Sequence, residues 1–132
     1  MGTPSEKGRT MKLVDTDIFI DFFRGVSGAV AFLQENADHV LFSAITEAEL
    51  LSGNICEDPR EEEKVLHVLA QFEKIPVDNP LVQVAGKIRR KYHVELPDAL
   101  IAASALSYQL ILITRNVKDF QKIRELKVER PY

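Results

Sequence analysis

The sequence has one cysteine, Cys56. A lone thiol excludes an internal disulfide framework and a cysteine-built zinc site, and it suits a reducing cytosol. Excess charge of one sign is also missing: 17 Lys and Arg against 20 Asp and Glu give a formal net charge of −3, too slight to draw the whole molecule onto nucleic acid or an anionic membrane. Any nucleic-acid binding must come from a local patch. The longest apolar run, residues 110–113, is far short of the ~20 residues that span a bilayer. The opening residues have no apolar signal segment. These absences predict a soluble cytoplasmic protein with no membrane contact.

Several catalytic signatures are absent as well. Neither G-x-x-x-x-G-K-[ST] nor G-x-G-x-x-G occurs, which argues against a nucleotide-binding enzyme. Ser43, Ser104 and Ser107 lack the G-x-S-x-G context of a Ser-His-Asp hydrolase. His39, His67 and His93 are scattered without the spacing of metal ligands.

What is present fits one ordinary globular domain. The chain has 132 residues, 45% hydrophobic and 28% charged, enough to bury a core without a disulfide or structural metal. Residues 1–10 are polar, with two Gly and one Pro, and read as a disordered leader or expression remnant. The domain is expected over 11–132.

Within it, short β-like runs alternate with helical ones. Strands are predicted at Lys12–Val14, Val40–Ser43, 75–77 and 110–113, with a last edge strand near Val128. Helical spacing appears at 18–23 and 29–33, interrupted at Gly25 and Gly28. It returns at 47–52, stopped by Gly53, and behind the acidic stretch 57–63, where Val65, Leu66, Leu69 and Phe72 form a stripe. Pro80 opens a helix over 81–92, and Pro97 opens another. The segment 99–106 is apolar nearly all round and reads as the buried helix. The alternation implies an α/β fold with a central, mainly parallel sheet flanked by helices.

In such sheets, ligands bind at the carboxyl ends of the strands. The residues that follow the apolar runs are mostly acids: Asp15-Thr16-Asp17, then Thr46-Glu47-Ala48-Glu49, then Thr114-Arg115-Asn116-Val117-Lys118-Asp119. Asp98 adds a carboxylate at the mouth of the apolar helix. Each has a structural alternative. Thr46 to Glu49 has capping-box spacing, Asp15 or Asp17 can cap a helix, Asp98 suits a first helical turn, and Asp119 reads as a loop or cap residue. Independent caps have no reason to gather at one sheet edge, so position argues for a common site. Crowded carboxylates raise one another's pKa, and a divalent cation resolves the conflict. Mg²⁺ and Mn²⁺ take carboxylate and water oxygens and support attack on a phosphodiester. Thr16 and Thr114 could orient the phosphate, and Arg24 or Arg115 could offset its charge. Lys87, Arg89, Arg90 and Lys91 are either an RNA contact or a solvated helix face.

Four segments also resemble a known family in order and spacing. These are Leu13-Val14-Asp15-Thr16-Asp17-Ile18-Phe19-Ile20-Asp21, Thr46-Glu47-Ala48-Glu49-Leu50-Leu51-Ser52-Gly53, Leu96-Pro97-Asp98-Ala99-Leu100-Ile101-Ala102-Ala103 and Thr114-Arg115-Asn116-Val117-Lys118-Asp119-Phe120. Together they resemble the ordered motifs of PIN-domain proteins, in the style of the VapC toxins of VapBC toxin-antitoxin modules. The resemblance implies a PIN fold and a Mg²⁺- or Mn²⁺-dependent endoribonuclease. It also implies a homodimer and inhibition by a VapB-like antitoxin, whose tail would cross the apolar helices and send an Arg into the acids.

By this resemblance the metal site falls on Asp15, Glu49 and Asp98, with a fourth place shared between Asn116 and Asp119; Asp17 stands where many relatives carry Asn or Ser. Two rival readings are a PIN-like module that binds RNA or protein without cutting, and a haloacid-dehalogenase-like phosphatase using Asp15-Thr16-Asp17 as a D-x-D pair. Phe19 in place of the expected Thr, and the lack of room for a cap domain, oppose the phosphatase.

Overall fold

The structure, a computed structural model, describes residues 10–132; apart from Thr10, the expectation for the leader lies outside them. Five strands, β1 (Lys12–Val14), β2 (Val40–Ser43), β3 (Glu73–Ile75), β4 (Ile111–Ile113) and β5 (Val128–Glu129), form one sheet in the order β3-β2-β1-β4-β5. Every neighbouring pair is parallel. The helices are α1 (Thr16–Phe23), α2 (Ser27–Glu35), α3 (Ala44–Leu51), α4 (Pro59–Leu69), α5 (Asn79–Tyr92), α6 (Leu96–Tyr108) and α7 (Val117–Phe120).

Strand alternation divides the interior into two cores. Successive side chains of a strand point to opposite faces, so Leu13, Leu41 and Leu112 enter one core while Val14, Val40, Phe42 and Ile113 enter the other. The first core is filled by α5, α6, α7 and the segment after it, including Leu81, Ile88, Ile101, Phe120 and Ile123. Four alanines of α6, Ala99, Ala102, Ala103 and Ala105, are almost wholly buried, and their small side chains let this helix lie close to its neighbours. The second core holds Ile18 and Phe19 of α1, Ala29 and Leu33 of α2, and Val65 and Leu69 of α4. Phe19 meets Phe42 edge-on, with ring centroids 5.9 Å apart and planes at 72°, a favoured aromatic geometry.

Two element boundaries differ from expectation. The strand expected at 75–77 lies at Glu73–Ile75, because Ile75 closes the core and the next residue, Pro76, has no amide to donate. The helix expected at 47–52 begins three residues earlier, at Ala44, with the Ser43 hydroxyl accepting from the Ile45 amide. Ser43 ends β2 and caps α3 at once, so the capping box read at Thr46 and Glu49 is not formed. Both side chains are thereby free to face the sheet edge. Among the described residues, no helix is long and apolar enough to cross a membrane.

Candidate active site

The strand order reverses direction between β1 and β4, and an open parallel sheet forms its crevice at that switch point, beyond the carboxyl ends of the strands. Asp15 follows β1 and Thr114 follows β4. The Thr114 hydroxyl donates to Asp15 Oδ2 at 2.8 Å and lies 3.3 Å from Asp17 Oδ2, while the Arg115 amide donates to Asp17 Oδ2 at 3.0 Å. Asp15 is also the N-cap of α1, its Oδ1 accepting from the Thr16 amide at 2.8 Å. Asp15 thus caps α1 through one oxygen and accepts the Thr114 hydroxyl through the other.

Glu49 arrives from α3. Its Oε1 accepts from the Thr16 hydroxyl at 2.6 Å, and that hydroxyl lies 2.9 Å from the hydroxyl of fully buried Thr46. Thr16 has one proton, given to Glu49, so Thr46 supplies the proton of the second bond. Asp98 sits in the first turn of α6. Asp119, in α7, accepts from Asn116 Nδ2 at 3.0 Å, so the two candidates for the fourth place form one hydrogen-bonded pair. Both are exposed.

The electrostatics bind these segments together. Burial, and next the Asp17 carboxylate, push the Asp15 carboxyl up to about 7, against the opposing bonds from Thr114 and Thr16. Burial, then Glu49 and Asp119, push Asp98 up to about 6. Burial raises Asp17 too, and its Oδ1 is buried without a hydrogen-bond partner among the described residues. Carboxylates from α1, α3 and α7 thus act on Asp98 or Asp15 across the sheet edge.

Oxygen donors that repel one another, with one buried acceptor left unsatisfied, fit a hard divalent cation. They do not stand as a finished ligand shell: among the described residues no three His, Cys, Asp or Glu side chains form a ready cation-holding group.

The two arginines expected beside the acids are placed differently. Arg24 is exposed at the C-cap of α1. The Arg115 guanidinium turns to Asp21, with Nη1 to Oδ2 at 2.9 Å, and only its backbone amide reaches the acidic pair. Asp21 is the residue that sequence reasoning left without a role. It accepts from Tyr132 at 2.7 Å as well as from Arg115, and the Tyr132 hydroxyl, with the Arg115 guanidinium, holds its carboxyl below the usual range. The available signal was its position four residues after Asp17, one turn along the same helix face. Lys87, Arg89, Arg90 and Lys91 are exposed on α5.

A doubly packed parallel sheet with cation-suited acids at its switch point defines a class of α/β domain built for chemistry at a charged ligand. The chain belongs to the PIN domain family, whose sequence profile matches residues 12–126. It is 34% identical over 124 residues to ribonuclease VapC10 of Mycobacterium tuberculosis, covering 89% of this chain and 91% of that protein. Ribonuclease VapC of Rickettsia bellii is 30% identical over 128 residues, covering 88% and 92%. Among solved structures, a toxin-antitoxin complex from Klebsiella pneumoniae superposes with a TM-score of 0.80 at 34% identity, covering 92% of this chain and 98% of that one. FitAcB from Neisseria gonorrhoeae gives 0.75 at 28% identity, covering 92% and 98%. PIN membership displaces the phosphatase reading of Asp15-Thr16-Asp17.

Proposed function

We propose that this chain is a divalent-cation-dependent endoribonuclease, the toxin of a type II toxin-antitoxin pair, hydrolysing RNA phosphodiester bonds in the cytoplasm. The observation that carries the reading is the run of mutually repelling carboxylates at the β1–β4 switch point, in a chain whose curated relatives are named VapC ribonucleases. Residues 11–132 act as one PIN domain.

Asp15, Glu49 and Asp98 would hold the cation, Mg²⁺ or Mn²⁺, with Asp119 and Asn116 in support. When bound, the cation neutralises the phosphate and makes a water acidic enough to attack it. The chain's own groups set up that step. The Thr114 hydroxyl and the Arg115 amide hold the Asp15–Asp17 pair in place, and Thr16 fixes one oxygen of Glu49, leaving the other free. Asp98, raised to about 6 by burial and its acidic neighbours, would take part in holding the cation as its carboxylate. The exposed cations of α5 offer phosphate contacts outside the acidic centre.

The partners proposed are an RNA substrate, a VapB-like antitoxin and a second copy of the chain.

The test is cleavage of a panel of structured RNAs with Mg²⁺, Mn²⁺ or EDTA, with Asp98→Asn beside the wild type. Cation-dependent cutting that the variant lacks is the expected result. Wild-type turnover in Asp98→Asn sinks the assignment of Asp98, and metal-independent RNA binding without cutting under any cation favours a binding module.

A further inference from the structure

Outside the acidic pocket, the densest polar arrangement joins four separate parts of the chain. Asp21 on α1 takes two donors on one oxygen, Tyr132 Oη at 2.7 Å and Arg115 Nη1 at 2.9 Å. The Arg115 guanidinium also lies over the Tyr132 ring, 5.7 Å from its centroid. Arg130 fastens the same segment twice, donating Nε to the Tyr132 carbonyl at 3.0 Å and Nη1 to the Arg115 carbonyl at 2.9 Å. Gly28 on α2 makes the seat: a Cβ there would fall 2.7 Å from Tyr132 Cγ. The ring is therefore packed against a surface that only glycine leaves open.

The position of this arrangement gives it meaning. Arg115 is one residue past Thr114, and the backbone between them delivers the hydroxyl that meets Asp15 and the amide that meets Asp17. Asp17 and Asp21 lie one turn apart on α1, so Arg115 holds that helix at two points, by its amide above and its guanidinium below. Arg115 is otherwise exposed, and an unfixed side chain of that length samples many rotamers. Tyr132 and Asp21 remove that freedom.

We propose that Tyr132 is a positioning residue: seated on Gly28, it fixes Asp21 and Arg115 so that the segment after β4 presents the Thr114 hydroxyl and the Arg115 amide to the Asp15–Asp17 pair. It touches neither substrate nor cation. It acts through the geometry of the acids, as groups hydrogen-bonded behind metal ligands do. The cation part of this inference rests on the nuclease reading, whereas the placement of the Arg115 amide does not.

The test compares the full chain with Tyr132→Phe, which keeps the ring and removes one hydroxyl. Hydrogen exchange of the Arg115 amide is followed without metal, and Mn²⁺ affinity is measured by calorimetry. The expected result is several-fold faster exchange at Arg115 with no change at Leu112 in the buried β4. Mn²⁺ affinity should weaken several-fold, towards the ~10-fold typical of lost support behind a ligand. Arg115→Lys, which keeps a cation on Asp21 but cannot stack and fork in the same way, should fall between the two.

Unchanged exchange and unchanged Mn²⁺ affinity overturn the inference. Faster exchange with unchanged affinity also overturns it, since the strap would then be structural only. A wild type that neither binds Mn²⁺ nor cuts RNA removes the nuclease reading, and the exchange rate alone then decides for or against the strap.

Discussion

Asp15 and Thr114 are separated by 99 positions in the chain and by 2.8 Å in space, one carboxylate oxygen accepting the threonine hydroxyl across the switch point. That bond opposes the burial which raises Asp15. Thr114→Val keeps the shape and deletes the donor, so the Asp15 carboxyl should rise further. The acid limb of the pH profile for Mn²⁺ binding should move to higher pH, with a stability loss of about 1 kcal/mol. An acid limb at the wild-type pH would show that Thr114 does not tune Asp15.

The raised carboxyls also make stability depend on pH in an unusual direction. A folded carboxyl at about 7, against an unfolded value of 3.8, means the folded state binds more protons between those limits. Stability therefore falls as pH rises through that window. Asp98, at about 6, adds to the fall over a narrower range. Asp21, held low, contributes in the opposite sense, its stabilisation being lost only in stronger acid. Thermal melts in EDTA should show a lower Tm at pH 8 than at pH 5.5, and Asp15→Asn should flatten the slope. Added Mg²⁺ should restore more Tm at pH 8, where protons compete least. A Tm that rises across the window would contradict the assigned shifts.

Gly28 is the second residue of α2, in its first turn, where alanine is normally at least as well tolerated as glycine. Here the sign should reverse, because the added methyl meets the near end of the Tyr132 side chain at 2.7 to 2.9 Å. Gly28→Ala is expected to lower Tm, and Tyr132→Gly in the same chain, which removes both the Cβ and the ring that the new methyl meets, should make the change neutral or stabilising. Additive effects in that double-mutant cycle would mean the two residues do not meet.

The Thr46–Thr16–Glu49 chain makes a further demand. Thr46 is fully buried and bonds only to the hydroxyl that holds Glu49, among the contacts described for its side chain. Thr46→Val should cost roughly 1 to 3 kcal/mol by leaving part of the relay unsatisfied. Thr16→Val should reduce cleavage more than it reduces Tm, because it releases Glu49 directly. Equal loss of cleavage in both variants, matched to Tm, would assign the relay to stability alone.

Much of this was legible in the sequence because the physical signals were local. The short apolar runs at 12–14, 40–43 and 110–113 suit strands buried on both faces, and Asp15, directly after the first, reaches the sheet edge by position alone. What stayed hidden depended on meetings between distant segments. Thr46 and Glu49 had capping-box spacing, and only the competing Ser43 at the strand end moved the cap three residues back. Arg115 looked like a phosphate contact because its place after β4 was readable. Its partner Asp21 was not, since Tyr132 reaches that carboxylate from 111 residues away. The 73–75 strand was shifted because Glu73 and Lys74 are exposed and charged, and only Ile75 carries an apolar signal.

The strand order has a consequence for the chain while it is being made. β1 emerges first, yet its neighbour on the crevice side is β4, which follows after some hundred residues of synthesis. Domains generally fold as units, and this crevice cannot close by halves. A partly synthesised chain carries Asp15 without Asp98 or Thr114, so the acidic crevice is incomplete until β4 and the segment after it have been made.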